Sequence, residues 1–339
     1  MTTVTVIRGD GIGPEVIDAS IRVLDSCGVG LTWEFVEAGA AANIRVGDPL
    51  PDETLQSIRR TRLCLKGPLE APTADGHVAT DARLVEELGL HTNLRSVHSY
   101  PGLATPFRDV NLTIVREHIE GACAGTERYL DFDGDVAESS STTTLEGSQR
   151  IVRYAFDHAA RHHLPKVTLV HRASTFKLTS GVLRRAGREI AKHYSGIALE
   201  EMIVDHAAMQ LVMDPSRFKV IVTSNLFGGI LSELAAGLVG GPGLAASMSI
   251  GDELAVFEAV HGTAPGLARK GIANPVAMIA AGALLVRYAG KTKAANRIDS
   301  ALRLAIEQRK HLPLDLGGRA STQEFAESVV SILRTQALG

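Results

Sequence analysis

The sequence predicts an α/β protein of two lobes, on three observations. Short β-branched runs alternate with stretches of helical apolar spacing along most of the chain. That alternation is the pattern of a parallel sheet with crossover helices. The chain has 339 residues, more than one ordinary core serves, so two lobes are expected. Apolar residues make up 45% of it and aromatic residues only 4%. The core is therefore expected to be aliphatic, built mostly from Ala, Val, Leu and Ile.

Taken in order, Val4–Arg8 reads as the first strand. Gly9 to Gly13 reads as a turn. Pro14 and Glu15 suit the first turn of a helix, where proline needs no partner and a carboxylate meets the positive end of the helix dipole. Arg62–Lys66 reads as a strand before a Gly67-Pro68 turn, and Ala82–Leu90 as a helix. Leu112–Arg116 is the next strand, residues 117–127 a loop, and Arg128–Ser139 an alternating, acidic segment. Leu145–His163 is an amphipathic helix that Leu164-Pro165 ends. Lys166–His171 is a strand, followed by a helix to about Tyr194; another helix starts at Asp205. Val220–Thr223 is a buried strand. Ser224-Asn225 then starts a helix with apolar residues at 226, 230, 231, 234 and 238, closed by Gly240, Gly241 and Pro242. A strand feeding a helix through a tight polar turn is where open α/β sheets place ligands. Pro275–Val286 is the longest apolar run, too short to span a bilayer and read as a buried core helix.

Net charge is −3 and the basic residues are scattered, which argues against a nucleic-acid or membrane surface. Cys27, Cys64 and Cys123 are few and widely spaced, as in a reducing cytoplasm. The first residues run directly into a strand pattern, so no signal peptide is expected. No repeat or low-complexity tract is visible.

Two stretches carry weaker signals. The turn at residues 9–13 is not G-x-G-x-x-G; by itself it is as readily a plain strand-to-helix turn as a ligand contact. His261 to Pro265 and Gly271 to Pro275 are Gly/Pro-rich loops around Arg269-Lys270. Such loops leave backbone N–H groups free for a dinucleotide, although ordinary surface loops have the same composition.

Several blocks together resemble one family. They are RGDGIGPEV at 8–16, LKGPLEAP at 65–72, NLR at 93–95, IVRE at 114–117, VTLVH at 167–171, VDHAAMQLV at 204–212, KVIVTSNLFGGILSELAAGLVGG at 219–241, and VHGTAP with GIANP across 260–275. In this order they resemble the β-decarboxylating hydroxyacid dehydrogenases, the isocitrate and isopropylmalate dehydrogenases. The resemblance implies that family's α/β fold, two lobes with a central cleft. Residues 1–96 and 241–339 would form a cofactor-side lobe. Residues 97–240 would form a dimerisation and substrate/metal lobe, with an arm at about 117–147 pairing across a homodimer.

The resemblance also implies site residues. His261, Gly262, Thr263, Ala264 and Asn274 would bind the adenine dinucleotide, NAD or NADP with NAD favoured. Gly266-Leu267 carries neither the acidic nor the basic residue that would separate the two, and Arg269 or Lys270 is as readily solvated as bound to a 2′-phosphate. Arg95 and Arg116 match arginines that hold a small carboxylate substrate; Arg116, at a strand end, could otherwise be a plain ion-pair partner, and the resemblance favours the site role for both. The third family arginine falls at Val85, and positions for the substrate's distal group at Val78 and Ala79, giving a less basic pocket.

The chemical positions depart further. The resemblance implies that Asp205 matches the Mg²⁺ or Mn²⁺ aspartate that reaches the partner subunit's site and that the other two aspartates fall at Gly229 and Glu233, which leaves Asp205 and Glu233 as metal candidates. Asp205 reads equally as a helix N-cap. The catalytic lysine falls at Arg172, which cannot lose its proton in a protein. The neighbouring asparagine falls at Ser174, and Lys177 is the nearest spare amine. The proton-donating tyrosine falls at Cys123, which reads either as a proton-transfer group or as a small buried hydrophobe.

Two functions stay open. One is an NAD(P)-dependent oxidoreductase acting on a malate-like 2-hydroxy acid. The other is an inactive family member, a regulatory subunit in a hetero-oligomer with an active paralogue or a metabolite-binding protein.

Overall fold

Four-residue runs such as Leu63–Lys66 and Val220–Thr223 are buried at every position, as strands covered on both faces must be. The computed structural model, which describes residues 2–70 and 79–337, arranges such strands in two compact units. The first comprises Met1–Leu88, His98–Arg108 and Val239–Gly339; the second comprises Gly89–Val97 and Asp109–Leu238.

In the first unit the strands lie in the order Leu31–Val36, Thr2–Ile7, Leu63–Lys66, Ala255–Ala259, Ala246–Ile250. All pairings are parallel except the last, an antiparallel pair. Helices Gly13–Ser26, Val276–Tyr288, Thr292–Gln308 and Thr322–Ala337 pack together in this unit. Val276–Tyr288 is the expected core helix, its residues from Val276 to Ala283 all buried. Its Gly282 is a packing residue. A Cβ there would lie 2.8 Å from Ser20 Oγ and 2.9 Å from Leu24 Cδ1, so the glycine lets helix Gly13–Ser26 approach.

In the second unit the order is Thr92–His98, Asn111–Glu117, Val220–Thr223, Lys166–His171, Ala198–Ile203. The last four strands are parallel. Helices Leu145–Arg161 and Thr179–Ala191 pack on each other and on strand Lys166–His171. Thr144 caps the first of them by accepting the Gly147 N–H at 3.0 Å. Among the described residues, no helix is long and apolar enough to cross a membrane.

Element bounds shift where local backbone decides. The helix expected at residues 82–90 is Thr80–Glu87, and Gly89, at φ 59°, turns the chain beyond it. The helix from Leu145 stops at Arg161 because His163 adopts φ 53°. The helix expected to reach Tyr194 spans Thr179–Ala191. The 117–127 loop holds one 3₁₀ turn, Ala122–Ala124. The alternating segment forms a small exposed hairpin, Glu127–Tyr129 against Ala137–Ser139.

Two single-residue expectations are corrected. Asp205 is not an N-cap: helix Val204–Met213 is capped at Ile203, and Asp205 lies inside its first turn. Cys123 is not buried but exposed, because its 3₁₀ turn buries none of its residues.

Candidate functional site

The second unit gathers a polar cluster at strand ends. Strand Thr92–His98 carries Arg95 and strand Asn111–Glu117 carries Arg116. Helix Asn225–Val239 begins with Asn225 and continues through Gly228, Gly229 and Glu233. Asn225 is the brace. Arg116 Nε donates to the Asn225 carbonyl at 2.9 Å and to its Oδ1 at 3.0 Å, and Arg116 Nη2 donates to Oδ1 at 2.5 Å. The Asn225 amide donates in turn to the carbonyls of His118 and Glu120, at 3.2 and 3.0 Å. The sequence shows Asn225 only as a helix-start residue and gives no sign of this role.

The glycines of this helix fit the same arginine. A Cβ on Gly228 would meet Arg116 Cγ at 2.5 Å, so only glycine lets the stem pass. A Cβ on Gly229 would lie 3.6 Å from Arg116 Cζ and 3.8 Å from both Nη atoms. The guanidinium thus faces bare helix backbone. Burial pulls its pKa below the usual arginine value and the Arg95 charge adds to this, while Cys123 and Glu117 work the other way. Arg95 donates to Asn93 Oδ1 at 3.1 Å and pairs with Glu233 at 3.2 Å. Arg172 pairs with Asp205 and also donates to Thr175 Oγ1 at 3.3 Å.

The first unit holds the expected cofactor loops. His261 bonds its Nδ1 to the Gly262 carbonyl at 3.0 Å, while its Nε2 is buried without a partner. Burial holds its pKa below the usual imidazole value. Ala264 adopts φ 40° and Arg269 φ 63°; strained backbone of this kind concentrates at ligand sites. The glycine turn at 9–13 packs on this loop. Ile12 N–H donates to the Thr263 carbonyl at 2.9 Å, and a Cβ on Gly11 would lie 2.0 Å from that oxygen. The second loop is gripped from two sides. Glu15 lies beneath it, its pKa raised chiefly by burial and pulled back by the Gly271 and Ala273 backbone N–H groups. Thr322 Oγ1 donates to the Ala273 carbonyl at 2.7 Å. Asn274 is buried with both amide ends engaged, donating to Asp315 at 3.0 Å and accepting the Val276 N–H at 3.0 Å.

A sequence profile of the family described as isocitrate/isopropylmalate dehydrogenase matches residues 3–329. The chain belongs to the isocitrate/isopropylmalate dehydrogenase family. It is 42% identical to the 3-isopropylmalate dehydrogenase of Archaeoglobus fulgidus, covering 98% of this chain and 100% of that one. It is 39% identical to the NADP isocitrate dehydrogenase of Thermus thermophilus over 97% of this chain and 67% of that one. It is 38% identical to the alpha subunit of human mitochondrial NAD isocitrate dehydrogenase over 96% of this chain and 89% of that one. The crystal structure of isocitrate dehydrogenase from Methylococcus capsulatus superimposes with a TM-score of 0.95 at 48% identity, covering 98% of this chain and 100% of that one.

Set against the isocitrate/isopropylmalate dehydrogenase resemblance, the expected residues fall into groups. Arg95, Arg116, Glu233, Gly229 and Cys123 come together in one unit, as does the Arg172–Asp205 pair. His261 to Ala264 and Asn274 lie in the other, with half-buried Val85 on helix Thr80–Glu87 and Ala79 at its cap. Val78 lies outside the described residues. Ser174 and Lys177 are exposed.

A dinucleotide fits the first unit, which offers an unpartnered buried ring nitrogen on a strained loop. A divalent metal does not fit the donors this chain offers. Asp205 is engaged by Arg172, Glu233 by Arg95, and Gly229 has no side-chain oxygen. No group of three or more His, Cys, Asp or Glu residues is set to hold a metal among the described residues, and Mg²⁺ demands near-ideal geometry.

Proposed function

We propose that this chain is an NAD(P)-dependent oxidoreductase acting on a malate-like 2-hydroxy acid. The observation that carries the reading is Arg116, a half-buried guanidinium held in one orientation by Asn225 beside Arg95. Two convergent arginines suit the carboxylate groups of such a substrate. His261, Gly262, Thr263, Ala264 and the loop at Asn274 would hold the dinucleotide, which when bound supplies the hydride acceptor. Oxidation at C2 releases a hydride from carbon and a proton from the hydroxyl, leaving a 2-oxo acid. Arg172 cannot accept that proton. Cys123, an electrostatic neighbour of Arg116, is the candidate group for that proton, which it can take up only from its thiolate form.

The active form would be a homodimer. In support, Met209, Val212, Met213, Leu226 and Ile230 are exposed on two helices of one unit, and Tyr129, Leu130 and Phe132 on the hairpin segment. Three free cysteines favour a cytoplasmic setting.

A second reading has its own observation. Arg172 and Asp205 neutralise each other within one chain, where the family resemblance places a catalytic lysine and a metal ligand. This favours a regulatory or metabolite-binding member without turnover. Assays of malate, tartrate, isocitrate and isopropylmalate with NAD and with NADP separate the two. Reduction of either dinucleotide supports the oxidoreductase. Binding of NADH without turnover on any of the four supports the second reading, and no dinucleotide binding removes the first.

A further inference from the structure

We infer that the second unit seats a substrate carboxylate directly on Arg116, with no metal ion bridging them. The inference rests on the reading of the Arg95–Arg116 cluster as the substrate seat. It starts from charge pairing. Several cations of this unit have carboxylate partners: Arg95 has Glu233, Arg172 has Asp205, Arg184 and Arg188 have Glu201, and Arg217 has Glu200. Arg116 has no ion pair among the described residues; Asn225, which is neutral, holds it, and Glu117 acts on it without pairing. A half-buried cation without an ion pair is costly, and nearby Arg95 raises that cost while Glu117 offsets part of it. An anion is the missing component.

Gly229 leaves room for it. Its absent side chain would begin 3.6 Å from Arg116 Cζ, so an aspartate there would bring its own carboxylate onto the guanidinium. Glycine leaves that charge to a ligand. Glu233 neutralises Arg95, which leaves Arg116 as the guanidinium of the cluster without an ion pair, and a single carboxylate matches it. A divalent cation would find one carboxylate already paired and an open guanidinium repelling it.

The test is calorimetric titration of the intact protein with each enantiomer of malate, in EDTA and again in excess MgCl₂. The expected result is binding of at least one enantiomer with an affinity that Mg²⁺ changes by less than about twofold. Arg116→Gln should weaken it by at least about tenfold, the usual weight of a charge-assisted bond. Gly229→Asp should weaken binding in EDTA by about tenfold, because the new carboxylate takes the guanidinium. An unchanged far-ultraviolet circular dichroism spectrum and urea midpoint for each variant serve as the folding control. The inference is overturned if Mg²⁺ tightens the unmodified protein's binding by about tenfold or more, if Gly229→Asp binds as well as the unmodified protein in EDTA, or if neither enantiomer binds. A parallel NADH titration keeps the two readings apart. Malate binding without NADH binding would sink the oxidoreductase and leave this seat standing.

Discussion

At the scale of single residues, Asn225 does the most with the least. One amide orients Arg116 through its oxygen and ties down two loop carbonyls through its nitrogen. Asn225→Ala strands these partly buried groups together, and each unsatisfied group costs about 1–3 kcal/mol. We expect urea unfolding to show a lower midpoint by that order, and malate affinity to fall as the guanidinium loses its orientation. Unchanged midpoint and affinity would show that Arg116 is held by other means. Lys66 makes a contrasting case. Its side chain is almost wholly buried, and burial alone would favour the neutral amine. Asp81 and Glu258, at 2.9 and 2.6 Å, more than offset that and hold its pKa above the usual lysine value. Cys64, on the same strand, is buried, and burial pushes its thiol up to about 12. It is inert at neutral pH, whereas Cys123 is exposed.

At the scale of elements, two contacts carry testable stability. Helix Thr179–Ala191 is tied to strand Ala198–Ile203 by Arg184 and Arg188 on Glu201. Burial pushes the Glu201 pKa up, but the two guanidiniums outweigh it and hold it down at about 2. A carboxyl depressed in the fold stabilises above its unfolded pKa of about 4.3, and that stability is lost as pH falls toward the folded value. The loss between about pH 4.3 and 2 is at most about 3 kcal/mol, less for the partial exposure of both arginines. Glu201→Gln should therefore lower stability at pH 7 and flatten its fall with acid. An unfolding series across that range that runs parallel for both proteins would refute the assignment. The second contact is the crossing at Gly282. Gly282→Val drives carbon into Ser20 and Leu24, and overpacking of this kind costs about 1–3 kcal/mol. A thermal midpoint equal to that of the unmodified protein would show that the two helices separate freely.

At the scale of the whole molecule, the exposed apolar residues of helices Val204–Met213 and Asn225–Val239 need cover. A monomer would leave Met213 and Ile230 in water at 68% and 54% exposure. Grouped apolar surface of this kind marks interaction faces. Light scattering should give twice the chain mass of 36.0 kDa. Ile230→Glu should shift the mass toward the monomer. A single-chain mass for the unmodified protein would refute the dimer and leave that surface to another partner.

The alternation of strand and helix was legible in the sequence because both periods are local. Strand Lys166–His171 lies where its β-branched run predicts, to the residue. The core helix from Val276 is written in its unbroken apolar run. Membership of the dehydrogenase family was legible for a similar reason: its motifs sit on strand-to-helix turns, whose glycines and prolines leave fixed marks. The identity of each residue at a chemical position was also readable, including the arginine at 172 and the glycine at 229. What each residue does with its charge was not. Glu233 is spent on Arg95 across 138 positions of chain, and Arg172 on Asp205 in the helix turn that follows the next strand. Cys123 proved exposed because a 3₁₀ turn, which has no sequence period of its own, carries it outward. Charge pairing falls off within a few ångströms. Only the tertiary structure decides which carboxylates lie that close, and so which cation, Arg116, is left without an ion pair.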